Sequence, residues 1–313
     1  MIKSQRIIFA GTPKFSIPAL ESLINSEHEV VAVYTQPDRL SGRGRKAKPS
    51  DVKKFALDNG LIVQTPINLK NKKDIEIFNS FNPDLLVVAA YGVILTNDIL
   101  HAPTLGCINI HASILPKWRG AAPIQRSLLA GEAFTGISIM HMEASLDSGP
   151  VYKTQEIPIN PSDTSDSLSE KLSIIGARTL MDSLPGIIDG SMPCIPQKSD
   201  IATYANKLTK ADSWINWSDS AIKIDQKVRA LQPWPIAQTY FQEKIVRIWK
   251  SEPIMGTGEK IGNLIISSNK DLDVVTGEGL IRVLRLQMPG KNIITAQDFL
   301  NSFDLTDSFF GDR

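Results

Sequence analysis

Three apolar runs constrain the first half of this chain more than any other feature. "RIIFA" (6–10), "EVVAVYT" (29–35) and "DLLVVAAYG" (84–92) are hydrophobic almost throughout, without polar residues at alternate positions. A strand with one face in water alternates, whereas a strand covered on both faces does not. Between the first two runs, Ile17, Leu20 and Ile24 recur at helical spacing after the Gly11 and Pro13 breaks. Strand and helix in alternation specify a parallel sheet with helices on both faces. The runs "CINIH" (107–111) and "GISIMHM" (136–142) extend the pattern, and "VYKTQEIPI" (151–159) is expected at its edge. The first half therefore reads as a doubly wound, Rossmann-like α/β domain with a mostly parallel sheet, over residues 1–189.

The second half has a different texture. "PGIIDGSMPCIPQKSD" (185–200) is broken by three prolines and two glycines, which suggests a linker, assigned here to 190–206. A helical segment follows at 219–231, with Ile222, Ile224, Val228 and Leu231 apolar. Then "TYFQ", "KIVRIWKS", "GNLIISS", "LDVVTGEG" and "LIRVLRLQM" alternate with turns, as in a small barrel or sandwich spanning 207–313. Trp214, Trp217, Trp234 and Trp249 all fall there and are expected in its core.

Global charge selects no partner, because the formal net charge is only +1. No apolar run reaches the roughly 18 residues of a membrane span, and the chain enters a strand almost at once, so neither a membrane nor a signal peptide is expected. The two cysteines, Cys107 and Cys194, are too few for a disulfide framework, which suits a reducing cytoplasm.

Chemistry concentrates after the 107–111 strand. Side chains two apart on a strand point the same way, so Asn109 and His111 project together, at the strand end where open α/β sheets bind ligands. Asp147, in the turn-prone "LDSG", follows the next strand and can reach His111 if the two strands are neighbours. An amide, an imidazole and a carboxylate can stabilise an oxyanion and move protons. There is no G-x-S-x-G elbow and no well-placed cysteine nucleophile, so direct acyl transfer between two bound substrates is favoured over covalent catalysis. "AGTPKF" lacks the dinucleotide fingerprint and no Walker sequence occurs. No metal-ligand spacing is present, so no metal is expected. His141, although near this region, is read as structural.

"NIHASILPKWRG" (109–120) resembles the N-x-H-x-S-x-L-P-x-x-x-G signature of the folate-dependent formyltransferases, with Asp147 matching that family's distal aspartate. "RGAAPIQRSLLAGE" (119–132), "IIFAGTPKFS" (7–16), "TQPDRLSGRGRK" (35–46) and "ALQPWP" (230–235) are similar to the branch of that family acting on initiator methionyl-tRNA. The resemblance implies a formyl donor, 10-formyltetrahydrofolate, and Asn109, His111 and Asp147 as the catalytic set. It implies folate contacts at Ser113, Ile114, Leu115 and Pro116, and a pteridine wall at Tyr91, Gly92, Val93, Ile94 and Leu95. For the second domain it implies an OB-like barrel that contacts tRNA, and a monomer working in the cytoplasm is expected.

"PDRLSGRGRKAKPSDVKK" (37–54) carries seven cations against Asp38 and Asp51. Cations in such density contact phosphates, and the family uses this insertion to reach tRNA. The expected RNA contacts are Arg39, Arg43, Arg45, Lys46 and Lys48, with Lys207 and Arg229 from the second domain. Three other readings of the residues stay open. A related enzyme could formylate an amino sugar nucleotide or a purine precursor with the same trio, a hydrolase could release formate from the same donor on that trio, or the chain could bind RNA without catalysis.

Overall fold

The apolar runs lie at the centre of a seven-stranded sheet. The computed structural model describes residues 4–41, 46–267, 269–303, 305 and 308–311. The chain divides into two units: Met1–Pro123, Phe134–Pro158 and Ser169–Ala205 make the first, and Ile124–Ala133, Ile159–Leu168 and Asn206–Arg313 the second.

Strands of the first unit are β1 (Arg6–Gly11), β2 (Glu29–Tyr34), β3 (Arg39–Ser41), β4 (Lys46–Lys48), β5 (Val63–Gln64), β6 (Leu85–Ala89), β7 (Cys107–His111), β8 (Arg119–Gly120), β9 (Phe134–His141), β10 (Val151–Pro158) and β11 (Tyr204–Ala205). The main sheet has the order β10-β9-β7-β6-β1-β2-β5. From β5 to β7 every pairing is parallel, and β9 and β10 close one side antiparallel. Ile7, Ile8 and Phe9 on β1 and Leu85, Val87 and Ala89 on β6 are wholly buried, as unbroken apolar runs require. Helices α1 (Ile17–Ile24), α2 (Asp51–Asp58), α3 (Lys72–Ser80) and α4 (Asn97–Leu100) lie between successive strands of the parallel part. Ser50 and Asn71 cap α2 and α3 by accepting the backbone N–H of Lys53 and Asp74.

β1 has β2 on one side and β6 on the other, so the winding direction reverses there. The carboxyl ends of β1 and β6 form the crevice where such sheets bind ligands. Two hydroxyls bind these ends together: Ser16 Oγ donates to Ala89 O at 2.6 Å and Thr12 Oγ1 to Tyr91 O at 2.7 Å. The basic insertion leaves the same edge after β2, and its arms β3 and β4 pair as an antiparallel hairpin.

The proline-rich stretch is more ordered than its composition suggests. After α5 (Pro123–Leu129), helix α6 (Ser165–Ile188) runs through Pro185, a proline that removes only one N–H close to the helix end. Residues 190–205 belong to the first unit. Val151 and Ile195 exchange backbone bonds at 2.8 and 2.9 Å, and β11 pairs with β8. Short pairings like these leave no periodicity in a sequence.

In the second unit the strands are β12 (Gln238–Phe241), β13 (Lys244–Ile254), β14 (Leu264–Ile266), β15 (Leu272–Val275), β16 (Leu280–Gln287) and β17 (Ile293–Thr295). They form an antiparallel half-barrel in the order β12-β13-β16-β15-β14, with β17 on β16. Register shifts on either side of Lys250 bend β13. Helix α7 (Ala221–Ala230) buries Ile224 and Val228, whereas Ile222 is 62% exposed. Residues two apart on a helix lie about 200° apart around its axis, so Ile222 and Ile224 cannot share the inward face. Helix α8 (Ala296–Ser302) sets Phe299 edge-on to Phe241, with ring centroids 5.1 Å apart. Trp217 is buried with its Nε1 donating to Thr239 Oγ1 at 2.9 Å, while Trp234 is half exposed.

Gly136 on β9 marks a close approach, since a Cβ there would stand 2.2 Å from the Gln155 carbonyl oxygen on β10. Gly136→Ala is expected to cost about 1–3 kcal/mol, the usual range for overpacking. A lowered urea midpoint with an unchanged slope checks this, and an unaltered midpoint contradicts it.

Candidate active site

β7 lies between β6 and β9, with Asn109 opposite Val88 on one side and Met140 on the other. Its three same-side residues differ in depth. Cys107 is fully buried, its Sγ 3.7 and 3.5 Å from the Ile99 and Leu100 carbonyl oxygens. Burial pushes its thiol up to about 12, so it packs and does not react. Asn109 is half-buried, and no hydrogen bond to its amide occurs among the described residues. His111 is 5% exposed and held on both sides, with Nε2 3.1 Å from Trp118 O and Nδ1 3.8 Å from Asp147 Oδ2. The second distance is close for two opposite charges and too long for a hydrogen bond.

Asp147 sits in a left-handed turn at φ +46°. Its Oδ2 accepts the Gly120 N–H at 2.8 Å, so the carboxylate is fixed from β8 while facing the imidazole. The turn is clamped from its other side by Gln197, whose Nε2 donates to Asp147 O at 2.9 Å and to Gly149 O at 2.7 Å. Gln197 Oε1 in turn accepts from Nε and Nη2 of Arg119, a side chain only 4% exposed. His111 and Asp147 are thus brought together, and Asn109 lies two residues before His111 on the same strand. Trp118 O, Arg119 and Gln197 were not anticipated from the sequence. Gln197 lies in the stretch read as linker, and only the tertiary fold brings it to Asp147.

The 113–116 turn is held by β9: Ser138 Oγ donates to Ser113 O at 2.8 Å and accepts the Leu115 N–H at 3.1 Å. Ser113 is fully buried, donating to Lys117 O at 2.6 Å, and Leu115 is buried too. Ile114 and Pro116, the latter after a cis peptide bond, are the part-exposed members. In the 91–95 segment, Tyr91 turns its ring into the core beside Tyr34. Both phenol oxygens are buried without a hydrogen-bond partner among the described residues, and burial raises both hydroxyls above their ordinary pKa. Tyr91 meets the crevice through its carbonyl alone, which accepts from Thr12 and from Gln36 Nε2 at 2.9 Å. Val93 and Leu95 pack partly on the core, Gly92 is exposed, and Ile94 is 82% exposed.

Among the basic residues, Arg39 donates to Gln36 Oε1, and Lys53 pairs with Asp38 at 2.8 Å. Lys48 is exposed on β4, and Lys46 begins that strand. Arg43 and Arg45 lie outside the described residues. In the second unit Lys207 is exposed, but Arg229 is committed to the Asp225 carboxylate at 2.7 Å and to Asp163 O at 3.0 Å. Both of these partners lie in its own unit. Among the described residues no three His, Cys, Asp or Glu side chains gather as a metal-binding group, and no helix is long and apolar enough to cross a membrane.

His111 and Asp147 thus face each other on an α/β sheet, and the second unit is an antiparallel half-barrel. Residues 5–184 match the formyl transferase family model and residues 207–304 its C-terminal domain model, so the chain is a formyl transferase. Methionyl-tRNA formyltransferase from Nitrosococcus oceani is 44% identical over 315 residues, covering 98% of this chain and 95% of that protein. The same enzyme from Methylococcus capsulatus is 43% identical over 306 residues, covering 98% and 99%. This chain belongs to the methionyl-tRNA formyltransferase family. Among solved structures, HypX from Aquifex aeolicus in complex with tetrahydrofolic acid shares the fold, with a TM-score of 0.65 at 15% identity. That match covers 96% of this chain and 47% of HypX.

The burial of Cys107 has a direct readout. Native protein treated with iodoacetamide at pH 8 is expected to be alkylated at Cys194, and at Cys107 only after unfolding. Peptide mass mapping checks this, and native labelling of Cys107 at the rate of a free thiol would contradict its depth.

Proposed function

We propose that this enzyme transfers the formyl group of 10-formyltetrahydrofolate to the free α-amino group of methionine on initiator methionyl-tRNA, for translation initiation. The observation that carries this reading is the approach of Asp147 to His111, on the strand that also bears Asn109, in a chain of this family. The amine nitrogen attacks the formyl carbon, giving a tetrahedral intermediate. The bond from that carbon to the folate nitrogen then breaks, and the proton lost by the amine ends on the folate nitrogen. An α-amino group, with an ordinary pKa of about 7.7–8.0, is roughly one-tenth to one-sixth neutral at pH 7, so a usable fraction can attack once it is held against the carbonyl.

Each residue takes a part suited to its setting. Asn109, whose amide is uncommitted, receives the formyl oxygen as it becomes an oxyanion. His111, with an oxygen facing each ring nitrogen, supports that charge and carries protons. Asp147 orients the imidazole and helps take the amine proton. Ile114 and Pro116, with the 92–94 backbone, offer the exposed surface for folate. For RNA the proposed contacts are Arg39, Arg43, Arg45, Lys46, Lys48 and Lys207. Arg229 is left out of this set because Asp225 already holds it.

Formyl transfer measured with charged initiator tRNA, charged elongator tRNA and free methionine in parallel tests the reading. Transfer to the initiator alone is expected. Asn109→Ala is expected to lose about 10²–10³ in kcat, the cost of one oxyanion donor. No transfer to any RNA, with folate binding intact, would point to a different amine acceptor, such as an amino sugar.

The RNA contacts have their own signature. The KM for tRNA is expected to rise steeply with salt while that for the folate donor barely moves. Arg43→Ala is expected to lower the slope of log KM against log salt by about one; an unchanged slope removes Arg43 from the interface.

A further inference from the structure

One side-chain amide organises the turn that carries the carboxylate. Gln197 Oε1 accepts two bonds from Arg119, at 3.0 and 2.9 Å, and Nε2 donates two, to Asp147 O at 2.9 Å and Gly149 O at 2.7 Å. A guanidinium only donates and a carbonyl only accepts, so the partners dictate which end of the amide faces which. Asp147 needs such support. Its φ of +46° lies in the left-handed region, which aspartate tolerates better than most residues but at a cost that neighbouring bonds offset.

The support comes from one place. β8 is Arg119 and Gly120, and these consecutive residues reach Asp147 by two routes: Gly120 N–H binds the carboxylate directly, and Arg119 orients the glutamine that binds the backbone. β11 braces β8 from outside, so closely that a Cβ on Gly120 would stand 2.8 Å from the Ala205 carbonyl oxygen. Residues 197–205 thus fasten the catalytic turn.

We propose that Gln197, oriented by Arg119, is a positioning residue for formyl transfer: it fixes the turn at Asp147 and so the placement of that carboxylate against His111. This rests on the reading of Asp147 as part of the catalytic set. A residue that merely fastened the 190–206 segment would affect stability and leave turnover alone.

Gln197→Glu is the informative variant. It keeps an acceptor for the buried Arg119 but cannot donate to the two carbonyl oxygens. Steady-state formyl transfer would be measured on the full chain as wild type, Gln197→Glu, Asp147→Asn and the double variant, with thermal unfolding to verify folding. Gln197→Glu is expected to lower kcat by roughly ten- to a hundredfold, as small misplacements of reacting groups do, with KM for both substrates within about twofold. The double variant is expected to be no slower than Asp147→Asn alone, because both changes act through one group. An unchanged kcat in folded Gln197→Glu, or losses that multiply in the double variant, would overturn the proposal. Should Gln197→Glu not fold, Gln197→Met, of similar length and uncharged, is read by the same criteria. Wild-type turnover in Asp147→Asn would overturn both this proposal and the catalytic reading beneath it.

Discussion

The parallel ladder joining β1, β6 and β7 is what every other feature of the first unit depends on. These strands have apolar neighbours on both faces and backbone partners on both edges, so neither their register nor their direction can change without exposing buried groups. Because they run parallel, their carboxyl ends fall on one edge of the sheet. The winding reversal beside β1 then opens a crevice at that edge. Asn109 and His111 are polar residues at the end of a strand whose apolar members fix where it sits. Their geometry is inherited from the burial of Ile108 and Ile110.

The antiparallel β9 and β10 alter what this sheet offers. β9 runs back beside β7 from Ser138, opposite His111, to His141, opposite Ile108, and the loop that follows folds back to set Asp147 Oδ2 3.8 Å from His111 Nδ1. It also supplies Ser138, which holds the turn after His111 by its two backbone bonds. The antiparallel return and the loop folded back after it bring His111 and Asp147 together across about forty residues of chain.

Much of this was legible in the sequence, because burial leaves a mark on residue type. The central strands were readable from continuous apolar runs, and the half-barrel from short runs set between turns. Asn109 and His111 were readable from strand parity. What stayed hidden had partners distant in sequence. Pro185 looked like a helix breaker, but one missing N–H near an end does not stop a 24-residue helix. Ile222 looked like part of a buried stripe until the helix phase was fixed by the sheet beneath it. Tyr91 looked like a ligand wall, yet its ring packs inward and only its carbonyl faces the crevice. Gln197 gave no signal at all, since a glutamine among prolines resembles any other polar residue in a loop.

The two phenols of Tyr34 and Tyr91 have a consequence for how this core came to be. Each hydroxyl has left water without gaining a hydrogen-bond partner among the described residues, a loss of roughly 1–3 kcal/mol per group. Phenylalanine would fill nearly the same space without that loss. The centre of the sheet is therefore not the most stable version of itself. It holds a reserve, of the kind natural domains keep when selection asks only that they remain folded. That slack lies directly beneath the crevice, where a fold that supports chemistry can most readily tolerate change.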